Sequence, residues 1–227
     1  VRIAGLLLAA GASRRLGTPK QLLPDASGEA LVRRAARQLC DAGCAPVLVV
    51  VGADAARVRE ALDGLPVLVA ENAEWADGMG TSIAAGVAAL MEPAHDDLAG
   101  VLITACDMPS VTSAHLRALC EAAGGDAVSG LGAVGDEPHE DACRRVASAY
   151  TGEQGVTRGI PAVLPRADWS LLCALRGDRG ARDLLRGELT RSVALQHGQV
   201  DLDTPDDVAR WRMSDGLVSP PSMPGGA

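Results

Sequence analysis

Residues 3–20 read Ile3-Ala4-Gly5-Leu6-Leu7-Leu8-Ala9-Ala10-Gly11-Ala12-Ser13-Arg14-Arg15-Leu16-Gly17-Thr18-Pro19-Lys20. The opening apolar run is short, follows a single basic residue and ends in small residues. That is the pattern of a buried strand, not of an export signal or a membrane span, which needs about 18 to 20 apolar residues. Small residues at a strand's C-terminal end, here Ala9, Ala10, Gly11, Ala12 and Ser13, let backbone N–H groups approach an anion closely. Arg15 and Lys20 then stand where they can neutralise it, one as a fork and one as a point charge. The spacing is not GxxxxGK[S/T], so this is not a Walker loop. The stretch is either another kind of phosphate cradle or a plain turn with solvated basic residues.

Working outward, apolar runs at 46–51, 67–70 and 100–106 repeat the buried-strand signal, bounded by Gly, Pro or Asp. Between them Leu31, Ala35 and Leu39, then Val58 and Leu62, then Ile83, Val87, Leu90 and Met91 recur at helical spacing. Thr112 or Ser113 is placed to cap a fourth helix through Leu116, Leu119 and Cys120. Strand alternating with helix predicts an α/β domain: three layers, with a mostly parallel sheet covered on both faces, over residues 1–213. The second half is less regular. Residues 124–141 read as a Gly-rich acidic loop, 145–150 and 160–164 as strands added at the sheet edge, and 169–175 and 181–185 as short helices. A strand at 192–196 and a helix at 204–211, capped by Thr204 with Pro205 next, follow. From Ser214 to Ala227 the composition collapses to Ser, Pro and Gly, the signature of a disordered tail.

Composition limits the function. The chain has 227 residues, 21 basic against 29 acidic, for a formal charge of −8. This argues against a nucleic-acid surface, as do the four aromatic rings, Trp75, Trp169, Trp211 and Tyr150. Val, Leu, Ile and Ala must fill the core. Six cysteines are scattered without a CxxC pair, which reads as reduced cytoplasmic thiols, with Cys40 and Cys44 four apart on one helix.

Among residues able to carry chemistry, Asp107 ends the run at 100–106, at the sheet edge where open α/β proteins bind ligands. A carboxylate there suits Mg²⁺, or merely begins a turn before Pro109. Asp203, at the start of the last helix, reads as an acid that complements the helix dipole. Gly78-Met79-Gly80-Thr81-Ser82 opens a helix. Ile83 breaks the dinucleotide fingerprint and no strand feeds Gly78, so nicotinamide binding is rejected. Glu137, His139, Glu140, Asp141 and Cys143 look metal-like on paper but read as a solvated loop. The remaining histidines, His95, His115 and His197, have no partner spacing, and Ser13 lacks a nucleophile-elbow setting.

The pattern from Ala9 to Lys20 is similar to the signature loop of MobA-like nucleotidyltransferases. Gly78 to Ser82, Cys106-Asp107-Met108-Pro109, Gly177-Asp178-Arg179-Gly180-Ala181-Arg182 and Asp201-Leu202-Asp203-Thr204-Pro205 follow in the order that family uses. Within it the match most resembles the molybdenum-cofactor cytidylyltransferases, which transfer CMP from CTP to molybdopterin. The resemblance implies a Rossmann-like nucleotidyltransferase fold and catalytic roles for Arg15, Lys20 and Asp107. It implies nucleotide contacts from Ala9, Ala10, Gly11, Ala12, Ser13, Lys20, Gly80, Thr81 and Ser82, and Mg²⁺ held by Asp107 and Asp203. Arg179 and Arg182 would take the acceptor, and a molybdoenzyme or its chaperone would be the partner, with no nucleic acid or membrane involved. Ala9-Ala10-Gly11 resembles the cytidylyl branch, where the guanylyl branch more often ends its loop in two glycines. One departure stands out: the link between Tyr150 and Gly159-Ile160-Pro161 is longer than the family's.

Overall fold

The computed structural model describes residues 1–124, 143–152, 155–178, 180–187, 189–195 and 201–214. Most of the acidic loop, with Glu137, His139, Glu140 and Asp141, lies outside the described residues. So do Arg179 and the tail beyond Ser214.

Strand β1 (Ile3–Ala9) is buried along its whole length, as its unbroken apolar run requires. It is followed by α1 (Leu31–Asp41), β2 (Val47–Val51), α2 (Ala55–Ala61), β3 (Leu68–Glu71), α3 (Met79–Leu90), β4 (Gly100–Ala105) and α4 (Ser113–Gly124). Then come β5 (Val146–Gly152), β6 (Gly155–Pro165), the short helices α5 (Trp169–Cys173) and α6 (Arg182–Leu185), β7 (Arg191–Ala194) and α7 (Pro205–Ser214). The strands form one sheet in the order β3-β2-β1-β4-β6-β5-β7. All run parallel except β6, which opposes both its neighbours. The fold is thus the expected three-layer, Rossmann-like α/β arrangement.

Alternate residues of β1 face opposite layers. Ile3, Leu7 and Ala9 pack with Val32, Ala36 and Leu39 of α1 and Leu116 and Leu119 of α4. Ala4, Leu6 and Leu8 pack with Ile83, Val87 and Leu90 of α3 and with Trp169 and Leu172 of α5. The sheet-edge strands of the second half extend the sheet beyond β4. The long link after Tyr150 is part of this extension: β5 runs on to Gly152 and β6 begins at Gly155, so the added residues lengthen an antiparallel ladder.

Cys44 corrects one expectation. It does not share a helix with Cys40, because α1 stops at Asp41 and Gly43 adopts a left-handed φ of 90°. The Gly43 N–H donates to Cys40 O at 2.9 Å and the Cys44 N–H to Leu39 O at 3.1 Å, a Schellman termination. At the other end of the chain, Thr204 caps α7 as expected. Thr204 Oγ1 accepts from the Asp207 N–H at 3.2 Å, while Asp207 Oδ2 accepts from the Thr204 N–H at 2.8 Å. This reciprocal capping box releases Asp203 from a capping role.

A small third core anchors that helix. Trp211, Val208 and Leu202 pack against Leu23 and Leu31, with Leu16 alongside. Trp211→Ala should therefore cost about 3 kcal/mol or more of stability, the usual scale for deleting a buried aromatic. Urea unfolding of the variant checks this, and a loss below about 1 kcal/mol would mean the helix is not anchored there.

Candidate functional site

The strand order places β1 between β2 and β4, with crossovers leaving in opposite directions. Ligands in open α/β sheets bind at such a switch point, outside the carboxyl ends of the strands. A cleft of about 400 Å³ lies there, within the size range of small-ligand sites. Its walls are the loop after β1 from Ala9 to Arg15, the start of α3, and the end of β4 at Ala105, Cys106 and Asp107.

Lys20 is the centre of the site. Its Nζ donates to Asp107 Oδ2 and, at 3.0 Å, to Asp203 Oδ1. Arg15 closes the group from outside, donating to Asp203 Oδ2 at 3.0 Å. The Lys20 and Asp107 side chains are 18% and 14% exposed, whereas Arg15 is 74% exposed and can swing. Burial alone would lower the pKa of Lys20; the Asp107 and Asp203 carboxylates outweigh it and raise the pKa above the usual lysine value. Asp201 lies near the same group. Burial, then the Asp107 and Asp203 charges, push its carboxyl up to about 6. The Leu202 N–H donates to Asp107 O at 3.1 Å, which ties the returning C-terminal segment to the end of β4.

The loop after β1 is held from within. Ser13 adopts a positive φ of 51°, and its carbonyl accepts the Leu16 and Gly17 N–H groups at 3.0 and 3.1 Å. Ser13 Oγ accepts the Lys20 N–H at 3.0 Å. Gln21, 1% exposed, donates Nε2 to Ala9 O at 3.1 Å and also to Gly11 O.

The turn at 78–82 meets the cleft at its start. Of Gly80, Thr81 and Ser82, only Ser82 lines the cleft, with Gly78 and Met79 beside it. The Gly80 N–H is taken by Gly177 O at 2.8 Å. The Thr81 hydroxyl lies 2.9 Å from both the Glu74 and the Gly78 carbonyls, and accepts from Asn72. These two residues hold the turn and do not touch the cleft. Asn72 Nδ2 also donates to Ser82 Oγ at 3.0 Å, and among the described residues no acceptor takes the proton of Ser82 itself.

Arg182 is exposed, lies outside the cleft lining, and heads a helix of only four residues, too short to supply an anion-binding dipole. Its charge acts on the Tyr150 phenol, opposing a rise in pKa imposed by burial and then Asp201. Sequence reading missed Gln21, Asn72, Trp75, Asp178 and Asp201. Trp75 had a signal as one of four aromatics in the chain, and Asp178 and Asp201 stood inside family motifs; Trp75 and Asp178 line the cleft.

Two carboxylate oxygens from separate segments, Asp107 Oδ2 and Asp203 Oδ1, converge on one cation. That donor chemistry fits a hard divalent ion completed by phosphate oxygens. No cluster of three or more His, Cys, Asp or Glu side chains arranged for metal binding occurs among the described residues, and none of their helices is long and apolar enough to cross a membrane.

A small-residue loop facing a carboxylate pair, at the switch point of an open sheet, defines a phosphate-handling α/β protein. The chain belongs to the MobA-like NTP transferase family, a class of nucleotidyltransferases: residues 5–197 match the model of the MobA-like NTP transferase domain. It is 39% identical over 111 residues to a protein named nicotine blue oxidoreductase, from Paenarthrobacter nicotinovorans, covering 48% of this chain and 52% of that one. It is 31% identical over 121 residues to a probable molybdenum cofactor guanylyltransferase from Rhodopirellula baltica, covering 53% and 55%. The aligned portion thus spans about half the length of these curated relatives. Among solved structures, Rv0371c of Mycobacterium tuberculosis H37Rv in complex with manganese is similar, with a TM-score of 0.66 and 26% identity over 93% of this chain and 98% of that one.

Gly78 packs directly against the segment at Gly177 and Asp178. Its φ is 111°, and a Cβ there would lie 2.4 Å from the Gly177 carbonyl carbon. Gly78→Ala should destabilise the protein by about 2 kcal/mol or more, from backbone strain and the forced separation of the two segments. Denaturant unfolding reads this directly; wild-type stability would show that the segments part without cost.

Proposed function

We propose that this chain transfers CMP from CTP to molybdopterin and releases pyrophosphate. The observation that carries the reading is the Lys20–Asp107–Asp203–Arg15 cluster facing the small-residue loop across the nucleotide-sized cleft. An acceptor phosphate oxygen attacks the α-phosphorus, the bond from that phosphorus to the bridging oxygen breaks, and the pair of electrons leaves with pyrophosphate. The acceptor phosphate is already ionised at neutral pH, so no histidine base is needed. The chain's work is positioning and electrostatics. The loop from Ala9 to Ser13 offers N–H groups to the phosphates, and Arg15 and Lys20 turn from their carboxylates to the charge building on the leaving group. Asp107 and Asp203 would hold Mg²⁺, which when bound supplies Lewis-acid stabilisation at the phosphate oxygens. Manganese in the Rv0371c complex supports a divalent ion in this fold. The product would pass to a molybdoenzyme or its chaperone.

Two other readings have observations behind them. The relative named as a guanylyltransferase favours GTP as donor. The relative named as an oxidoreductase favours hydride transfer; the broken glycine fingerprint at Ile83 and the paired carboxylates count against it. Pyrophosphate release from each of the four ribonucleoside triphosphates, with and without molybdopterin and with reduced nicotinamide followed in parallel, separates all three. Nucleotide binding without turnover would instead identify a non-catalytic accessory protein. Ala10 adds a methyl where a purine needs room, so CTP should exceed GTP in kcat/KM by about 10- to 200-fold. Equal use of both would remove the cytidylyl assignment.

Substitution at the carboxylates tests the mechanism. Asp107 sits at a rigid strand end, and Asp107→Asn should lose about a thousandfold or more in kcat. Asp203→Asn should be impaired and partly rescued by raised Mg²⁺. Full activity in Asp107→Asn would exclude this mechanism.

A further inference from the structure

We propose that Gln21 is a positioning residue that makes the loop after β1 a donor-only surface for a polyphosphate; this rests on the nucleotide-binding reading above. A turn of small residues presents carbonyl oxygens as readily as N–H groups, and a carbonyl facing a triphosphate repels it. Gln21 removes two of them. Its Nε2 donates to Ala9 O at 3.1 Å and to Gly11 O, so both amide protons are spent on the carbonyls that flank Ala10.

The orientation of the side chain is fixed by its partners. Turning the amide over would set Oε1 against two carbonyl oxygens, so only one arrangement satisfies the group. In that arrangement Oε1 lies 3.4 Å from Ser13 Oγ, which donates to it, while Ser13 Oγ accepts the Lys20 N–H. Gln21 therefore touches the loop at Ala9, Gly11 and Ser13, and through Ser13 it reaches the backbone of the lysine that binds the carboxylate pair. Its burial, at 1% exposure, keeps water from competing for these bonds. Glutamate in the same volume would add a carboxylate beneath the cradle and lose both donors.

The test compares Gln21→Met, which has similar length and no donors, with Gln21→Glu, which keeps the acceptor for Ser13. Inorganic tripolyphosphate with Mg²⁺ is titrated by calorimetry, and cytidine, which has no phosphate, by ligand-observed NMR. Both variants should bind tripolyphosphate about tenfold more weakly or worse, the scale for losing a buried donor pair, with cytidine binding unchanged. Gln21→Glu should be the weaker of the two. A purely structural role would weaken both ligands in parallel, and that result, or unchanged tripolyphosphate affinity, overturns the proposal. Where Gln21→Met does not fold, Gln21→Glu carries the comparison alone. Wild-type protein that does not bind tripolyphosphate refutes the nucleotide-binding reading itself, whereas wild-type binding with unaffected variants refutes only the role of Gln21.

Discussion

The ammonium of Lys20 between two carboxylates is the interaction on which the site depends. It joins the segment after β1, the end of β4 and the C-terminal return at a single atom. Lys20 and Asp107 are largely withdrawn from water, so removing Lys20 would leave the Asp107 carboxylate buried and unpaired. The arrangement is also close to neutral overall, because Arg15 adds a second cation to the two acids. Its geometry is set by elements that fold for other reasons. The strand end fixes Asp107, and the capped helix with its Trp211 anchor fixes Asp203.

The sheet was legible because burial on both faces leaves no polar residues to break a strand's apolar run. Runs such as Leu6-Leu7-Leu8 and Val47 to Val51 have no other use in a chain of this composition. The mostly parallel direction was legible from the alternation of strand and helix, but the reversal of β6 was not. Nothing in the residues of β6 marks it as the strand that runs against the rest, because an apolar strand packs equally well either way; direction follows from connection length. The end of α1 was misjudged for a local reason. Cys40 and Cys44 have helical spacing, but Gly43 between them takes a left-handed conformation that spacing does not record.

The candidate site was legible where charge or a small-residue run marked it, and obscure where a neutral amide did the work. Lys20, Asp107 and Asp203 stand out by type and position. Gln21 and Asn72 look like ordinary polar residues until the backbone brings them under the loops they hold. Gly80 and Thr81 are buried in their turn, with hydrogen bonds committed to Gly177, Glu74 and Gly78. They act through the shape of the turn, and only Ser82, Met79 and Gly78 reach the cleft.

Lys20 and Asp203 are 183 residues apart in the chain. During synthesis, β1 and β4 can pair and bring Lys20 to Asp107 while the segment that carries Asp203 is still being made. Asp203 arrives only with α7. A chain interrupted before that helix can have a largely assembled sheet and a nucleotide-shaped cleft, yet its lysine is matched by one carboxylate instead of two. Completion of the charge cluster thus waits on α7, and a chain without that helix lacks both the second carboxylate and the packing of Leu202, Val208 and Trp211 on Leu23 and Leu31.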